Sequence, residues 1–330
     1  MKILEVCRSY YPSIGGLEKF VSQRINIYQK LNIEYNILTT NYNTGKINYD
    51  FNPSNVTYLK QFSKYNLCPN FKRDMLFDYD IISVNQVGNY LSDVVISTAN
   101  KLGKKIILTP HMYFHTISHK IVKQIHEKFF LPGLIQRVDK IICFTDYEIE
   151  FWQNKSVNKS KLIKIPHYFQ SEKNLSFNEV KQGNKFILYL GRNSKNKKIK
   201  LLLNAFIKEA TLNYDLYLTI NENEIDYELR EKIKADKRIK LLGYISEEQK
   251  LKYLNNCRAL ILPTNYEAFG IVCFEAASFA KPLLCSDIRV FREILNNKGV
   301  IYFDNTQESL GQALIYFNKI SEKELKSMGE

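Results

Sequence analysis

Two glutamates, Glu267 and Glu275, stand eight residues apart in TNYEAFGIVCFEAASFAKP, Thr264 to Pro282, around a glycine and a mostly apolar run. An ionised carboxylate only accepts hydrogen bonds, and its charge strengthens each one, so carboxylates make good partners for sugar hydroxyls. The segment starts as a loop after the apolar strand pattern RALILP and becomes a helix pattern, IVCFEAASFA, that opens at Gly270. A helix start beside a strand end offers unpaired N–H groups and the positive end of the helix dipole to an anion. Gly270 lets the backbone come close to a diphosphate. Glu267, in the loop, is expected over the phosphates, and Glu275, more than one turn along, faces another part of the same ligand. Two carboxylates beside one phosphate site suit a ligand with hydroxyls at both ends of a diphosphate, such as a nucleotide sugar. A core helix with one capping and one surface glutamate fits the same residues.

A second candidate group is basic. Arg192 and Lys197 lie in LGRNSKNKKIKLLLNAF, directly after the strand pattern FILYLG. Arginine can hold a phosphate with two donors and lysine adds a point charge, so the pair could neutralise a leaving diphosphate. SKNKKIK also reads as a solvated lysine run, above all at Lys195 and Lys198. Gly15 and Gly16, in SIGGLE, follow the first strand and open a helix, so their N–H groups could approach a phosphate; a ligand-free tight turn is the other reading. The pattern is not GxGxxG, so no nicotinamide cofactor is expected. His111, His115 and His119 have a spacing that could mimic metal ligands on one helix face. No nearby cysteine or acid completes a set, and Pro110 places His111 in a loop, so no metal is expected. FDYD, Asp78 to Asp80, has a DxD pattern but merely leads into the strand IISV.

Positioning these groups requires strands that end at each of them. Short apolar runs at Lys2–Val6, Glu34–Thr39, Tyr79–Val84, Lys105–Thr109, Lys140–Phe144 and Leu162–Ile165 alternate with helical patterns such as Gly16–Leu31 and Gly88–Leu102. Their length and near-continuous apolarity suit a buried parallel sheet. After Phe169 a polar stretch without periodicity, QSEKNLSFNEVKQGNK, reads as a boundary. The alternation then restarts, with strands at Phe186–Leu190, Asp215–Thr219, Lys240–Leu242, Ala259–Leu262, Pro282–Ser286 and Val300–Phe303 and helices such as Lys200–Ala210 and Glu247–Asn255. The expected architecture is α/β: two Rossmann-like doubly wound domains, 1–169 and 185–330, joined by a linker at 170–184 and facing across a cleft. Ligands in such sheets bind at the carboxyl ends of the strands.

Composition sets the outer limits. The 330 residues are 45% hydrophobic and 25% charged, an ordinary globular balance with room for two domains. No apolar run approaches the roughly 18 residues of a membrane span, and MKILEVC has none of the features of a signal peptide. The six cysteines lack CxxC spacing and read as buried thiols of a reducing cytoplasm. A formal net charge of +13 points to anionic partners. No nucleic-acid motif accompanies it, so phosphates and an anionic membrane surface are favoured over nucleic acid. Lys60 to Arg73 and SHKIVKQIHEKFFLPGLIQR interleave basic with aromatic or apolar residues and could rest on anionic lipid, or else pack as a surface loop and a sheet-covering helix.

Taken together, these segments resemble retaining glycosyltransferases of GT-B fold, family 4 (glycosyltransferase group 1). EAFGIVCFEAASFAKP is similar to the family's E-x7-E motif, YPSIGGLEKFV to its GGxE loop with Gly15, Gly16 and Glu18, and LGRNSKNKKIKLLLNAF to its basic loop. IPHYF stands where the family usually has IPNG, and LLGYIS matches a strand and loop near the base. The resemblance covers almost the whole chain. It implies a metal-independent hexosyltransferase without a cofactor, using a nucleotide-diphosphate sugar and a glycan or lipid-linked acceptor in cell-surface polysaccharide or glycoconjugate synthesis, in the cytoplasm or at the inner membrane face. It assigns Arg192 and Lys197 to the diphosphate, Glu267 and His111 to the donor sugar, and Glu275 to the ribose. It extends the donor-binding set to Ala268, Phe269, Gly270, Ile271 and Val272. The family usually has glycine where Lys198 stands and continues past SEKELKSMGE into a final crossover helix. A nucleotide-sugar epimerase of the same fold and a non-catalytic nucleotide-sugar-binding protein are the rival readings.

Overall fold

The computed structural model describes residues 1–13, 15–41, 54–61, 67–68, 70–111, 124–169, 185–295 and 297–329. The chain divides into two compact units, Met1–Tyr168 and Phe169–Glu330. The expected linker, 170–184, lies outside the described residues.

In the first unit, β1 (Lys2–Val6), β2 (Glu34–Thr40), β3 (Val56–Leu59), β4 (Ile81–Asn85), β5 (Lys105–Thr109), β6 (Lys140–Cys143) and β7 (Leu162–Lys164) form one sheet in the order β3-β2-β1-β4-β5-β6-β7. Every pairing is parallel. Helices α1 (Gly16–Lys30), α2 (Tyr90–Lys101), α3 (Leu131–Arg137) and α4 (Asp146–Asn154) connect and cover it. Local sequence explains their limits. Asn89 caps α2 and Thr145 caps α4 through side-chain acceptors, each satisfying an orphan N–H of a first turn. Behind the sheet, Val84, Ile82, Leu108, Val95 and Trp152 are fully buried.

The sequence pattern missed β3. That strand has only four residues, with Val56 and Leu59 buried and Thr57 exposed, so it shows neither a continuous apolar run nor a clean alternation. Such a short strand fits its place at the edge of the sheet.

The second unit repeats the plan. β8 (Phe186–Tyr189), β9 (Asp215–Leu218), β10 (Ile239–Leu241), β11 (Ala259–Leu262), β12 (Leu283–Ser286) and β13 (Val300–Phe303) lie in the order β10-β9-β8-β11-β12-β13, again all parallel. Helices α5 (Ile199–Lys208), α6 (Tyr227–Ala235), α7 (Glu247–Asn256), α8 (Ile271–Ser278), α9 (Arg289–Ile294), α10 (Gln307–Lys319) and α11 (Glu322–Gly329) complete it. Each of β8, β9, β11 and β12 is buried at every position. This is the continuous apolarity that parallel strands covered on both faces demand. Ser246 and Gln249 form a capping box at the start of α7, which fixes the direction of a helix whose Lys250 enters the site. In each sheet the order reverses beside the central strand, β1 or β8, and ligands of doubly wound sheets bind outside the strand ends at such a point.

Candidate functional site

In the second unit the residues singled out by sequence converge at the carboxyl ends of β8 and β11. The loop after β8, carrying Arg192 to Lys198, is stitched to the loop after β11. Lys198 N–H donates to Pro263 O at 3.1 Å, Asn265 N–H donates to Asn196 O at 2.8 Å, and Lys197 and Thr264 form an isolated antiparallel bridge. The Tyr189 hydroxyl donates to Arg192 O at 3.1 Å. Gly191 has φ +156°, and a Cβ there would stand 2.8 Å from the Tyr189 hydroxyl. These contacts present two loops as one rigid rim, with Arg192 exposed on it.

The ammonium of Lys197 donates to the carboxylate of Glu267, each side chain being only 16% exposed. Lys197 thus meets the loop carboxylate, while the neighbouring Lys198 is the N-cap of α5 and uses its backbone N–H on Pro263. Burial, then Glu267, pushes the Tyr189 phenol well above its ordinary range, so it remains a donor.

Gly270 is the N-cap of α8 and sits in the left-handed region at φ +68°. A Cβ at this position would lie 2.6 Å from Phe291 Cε1. Both backbone conformation and space therefore call for glycine. Gly270→Ala is expected to cost about 1–2 kcal/mol in backbone strain alone and to shift the first turn of α8. A chemical-denaturation midpoint lowered accordingly, with weakened binding of nucleoside diphosphate, is the expected result; an unchanged midpoint would remove Gly270 from this role.

Phe269 turns its ring inward. Its side chain is 6% exposed and stacks on Phe274 with ring centroids 4.8 Å apart, so only its backbone could serve a ligand. Ala268, Ile271 and Val272 are partly exposed beside it. Glu275 is neither a cap nor a surface glutamate. It is 4% exposed and accepts from Lys250 Nζ at 2.8 Å, while Lys250 also holds Glu247 at 2.5 Å. Lys250 was not singled out by sequence, because on α7 it reads as one of several charged residues on a solvated face.

The first unit gathers the others. Gly15 is the N-cap of α1 with extended backbone, φ −179°, a conformation any residue adopts. Glu18, in the first turn, is 3% exposed and accepts from the Ser9 hydroxyl at 2.6 Å and the Ser13 hydroxyl at 3.2 Å. His111 follows β5 with φ +51°. Its ring packs edge-on against Phe20 and Phe144 at centroid distances of 4.7 and 5.4 Å. Burial first, then Arg24 and His167, hold its pKa well below the ordinary value, so it is neutral at physiological pH. His167, in the IPHYF segment, packs on the same Phe20 at 4.9 Å and is lowered to about 4, chiefly by burial.

His115 and His119 lie outside the described residues. Asp80 accepts from Lys2 N–H at 2.8 Å. That contact places FDYD at the amino ends of β1 and β4, opposite the end that carries His111. Among the described residues there is no group of three or more His, Cys, Asp and Glu able to hold a metal. All six cysteines are free and buried. In the loop after β10, Gly243 has φ +64° and Tyr244 is 77% exposed, its hydroxyl donating to Glu224 Oε1 at 3.0 Å.

Sequence reasoning also missed a buried polar cluster under His111. Glu5, on β1, is fully buried and meets Arg24, Tyr28 and Asn85. The visible signal was a lone glutamate inside the otherwise apolar KILEVC.

The chain is 26% identical to an uncharacterized glycosyltransferase of Methanocaldococcus jannaschii, over 97% of this chain and 89% of that protein. It is 22% identical to the GDP-mannose:cellobiosyl-diphosphopolyprenol alpha-mannosyltransferase of Komagataeibacter xylinus, over 89% of this chain and 78% of that protein. The Anabaena protein HepE, solved in complex with UDP and glucose, superposes with a TM-score of 0.77 at 14% identity, over 100% of this chain and 92% of that one. The likeness to HepE shows the fold, which is GT-B. Residues 170–330, which carry the Arg192–Lys197 loop and both glutamates, match the family described as Glycosyl transferases group 1, and this part of the chain belongs to that family of glycosyltransferases.

Proposed function

We propose that the protein is a retaining glycosyltransferase that moves a hexose from a nucleotide-diphosphate sugar to a glycan or lipid-linked acceptor in the synthesis of a cell-surface polysaccharide or glycoconjugate. The observation that carries the reading is the Lys197–Glu267 pair beside the Gly270 helix start, at the carboxyl ends of β8 and β11. It sets an ammonium, a carboxylate and the N–H groups of α8 around one spot. Arg192 and Lys197, with the α8 N-terminus, stabilise charge on the departing diphosphate. Glu267 binds hydroxyls of the transferred sugar, Glu275 the ribose, and His111 the sugar. Because Lys197 already meets Glu267, the diphosphate and the sugar are gripped by one coupled pair. Gly15 and Gly16 supply N–H groups to the donor phosphate. Tyr244 lies in the loop that the sequence resemblance associates with the base.

In the step itself the bond between the anomeric carbon and the diphosphate oxygen breaks, with its electron pair leaving on that oxygen. The acceptor oxygen bonds to the anomeric carbon on the same face, and its proton passes to the departing phosphate. The Komagataeibacter relative takes its donor as a GDP-sugar and its acceptor on a diphosphopolyprenol. A lipid-linked acceptor for this chain fits an exposed basic–apolar patch. Ile125, Phe129 and Phe130 are 48, 66 and 59% exposed, and Lys128 lies over the Phe129 ring at 5.4 Å. Leu131, Leu134 and Ile135 of the same segment are buried in the core, so the patch is anchored while its tip could enter an anionic lipid surface. No helix among the described residues is long and apolar enough to cross a membrane.

Release of nucleoside diphosphate from a panel of GDP- and UDP-sugars, with and without a diphosphopolyprenol-linked acceptor, tests the reading. Acceptor-dependent release, with the anomeric configuration kept in the product by NMR, is expected. Conversion of the donor sugar without acceptor would favour an epimerase, and no turnover of any donor would favour a binding protein. With cationic side chains and a helix end placed on the diphosphate, activity is expected to persist in EDTA. Complete loss restored by Mn²⁺ or Mg²⁺ would contradict metal independence.

A further inference from the structure

The cluster beneath His111 has no place in donor binding as described, and its geometry carries a consequence for the imidazole. Glu5 receives three donors: Arg24 Nη1 at 3.2 Å, Tyr28 Oη at 2.5 Å and Asn85 Nδ2 at 2.7 Å. Arg24 also donates from Nη1 to Ser83 Oγ at 2.8 Å and from Nη2 to Thr109 Oγ1 at 3.1 Å, and its guanidinium lies over the Phe20 ring at 4.4 Å. Glu5 and Asn85 are fully buried, and the Arg24 side chain is 14% exposed. A buried ion pair is weak evidence for stability, since apolar residues of similar volume often do as well. A fully connected one can hold its members in a single arrangement.

Here the arrangement has one outlet. The Asn85 amide faces Glu5 Oε2 at 2.7 Å and Val6 O at 3.2 Å, both of which only accept, so its nitrogen must point to them. Its oxygen therefore faces His111 Nε2, 3.3 Å away. An amide oxygen cannot donate, so Nε2 must carry the proton, and the neutral ring's lone pair is left on Nδ1. Two residues in the left-handed region stand at this spot, Gln86 at φ +71° directly after β4 and His111 at φ +51° two residues past the end of β5. Such backbone is uncommon outside glycine and persists where the surroundings over-determine it. Gln86 N–H is fixed by a 2.8 Å bond to Thr109 O.

We propose that Asn85, held by Glu5, Arg24 and Tyr28, is a positioning residue that fixes His111 as its Nε2–H tautomer, leaving Nδ1 to accept a hydrogen bond from a hydroxyl of the donor sugar. The inference rests on the reading of His111 as a sugar contact only in its last clause. It names a specificity consequence: the sugar must present a donor hydroxyl, so a deoxy or O-methyl analogue lacking it at the contacted carbon loses rate.

The test is a long-range ¹H–¹⁵N correlation spectrum of the full chain labelled with ¹⁵N-histidine, the His111 signals being identified by their loss in His111→Gln. The wild type is expected to show the Nε2–H pattern for His111, and an Nδ1–H pattern would overturn the proposal without need of any variant. In Asn85→Ala the pattern is expected to change to mixed tautomers. kcat should fall by up to about 100-fold through misplacement of the ring, and the affinity for free nucleoside diphosphate should hold. An unchanged His111 tautomer in folded Asn85→Ala would overturn the positioning role. A changed tautomer with unchanged kcat would support the positioning role and overturn the assignment of His111 to the sugar.

Discussion

Replacing Arg192 by alanine is expected to lower kcat/KM for glycosyl transfer about 30- to 1,000-fold, equivalent to about 2–4 kcal/mol of lost transition-state stabilisation. The size follows from what the residue faces. As the diphosphate departs it gains charge, and a guanidinium on a fixed rim is worth most where that charge develops. The rim is fixed: Tyr189 holds the Arg192 carbonyl, and the rest of that loop is bonded to Pro263 and Asn265. Those bonds use the backbone of Arg192 and its loop, and the side chain itself is exposed, so the variant should still fold. The effect should fall on kcat more than on KM for the donor, since the charge is greatest in the transition state. Near-normal kcat/KM in the folded variant would take Arg192 out of the mechanism.

How far the sequence reached depended on whether a property is written locally. Strands of these parallel sheets are mostly short apolar runs, so Lys105–Thr109, Ala259–Leu262 and Val300–Phe303 could be bounded to the residue from the sequence pattern alone. β3 could not, because its four residues bury only their ends. Helix ends shifted by a residue or two for a similar reason. The pattern Lys200–Ala210 became Ile199–Lys208 once Lys198 was drawn back to Pro263.

The site divides the same way. Gly270, Glu267, Arg192 and Lys197 lie close to strand ends, and strand ends in a doubly wound sheet meet at one edge, so their convergence was legible. The partners were not. That Lys197 and not Lys198 reaches Glu267 depends on which lysine caps α5. That Glu275 is buried and paired depends on Lys250, 25 residues away on a helix with three other charged residues. The Glu5–Arg24–Asn85 cluster joins β1, α1 and β4 across up to 80 residues of sequence. Only the charge inside an apolar strand hinted at it. The stacking of the Phe269 ring on Phe274 was not legible either, because a motif does not show which way a side chain turns.

The two glutamates are proposed to grip different parts of one nucleotide sugar, and the second large effect tests that division of roles. Glu275 accepts from Lys250 in a nearly closed environment. Losing its charge while keeping its shape, as in Glu275→Gln, should weaken a charge-assisted bond to the ribose by roughly 1–3 kcal/mol, about 5- to 150-fold in Kd. Lys250 keeps Glu247 as a partner, so the fold should survive. Glu267→Gln should lower kcat and change the preference among donor sugars, yet leave the affinity for free diphosphate within about a factor of 2, because the free diphosphate carries no transferred sugar. Isothermal titration calorimetry of GDP and UDP with wild type, Glu267→Gln and Glu275→Gln decides between the roles. The account predicts that the diphosphate that binds wild type loses affinity only for Glu275→Gln. Loss of affinity in Glu267→Gln with none in Glu275→Gln would reverse the two roles. Unchanged binding in both, with unchanged turnover, would make the pair structural and contradict the account.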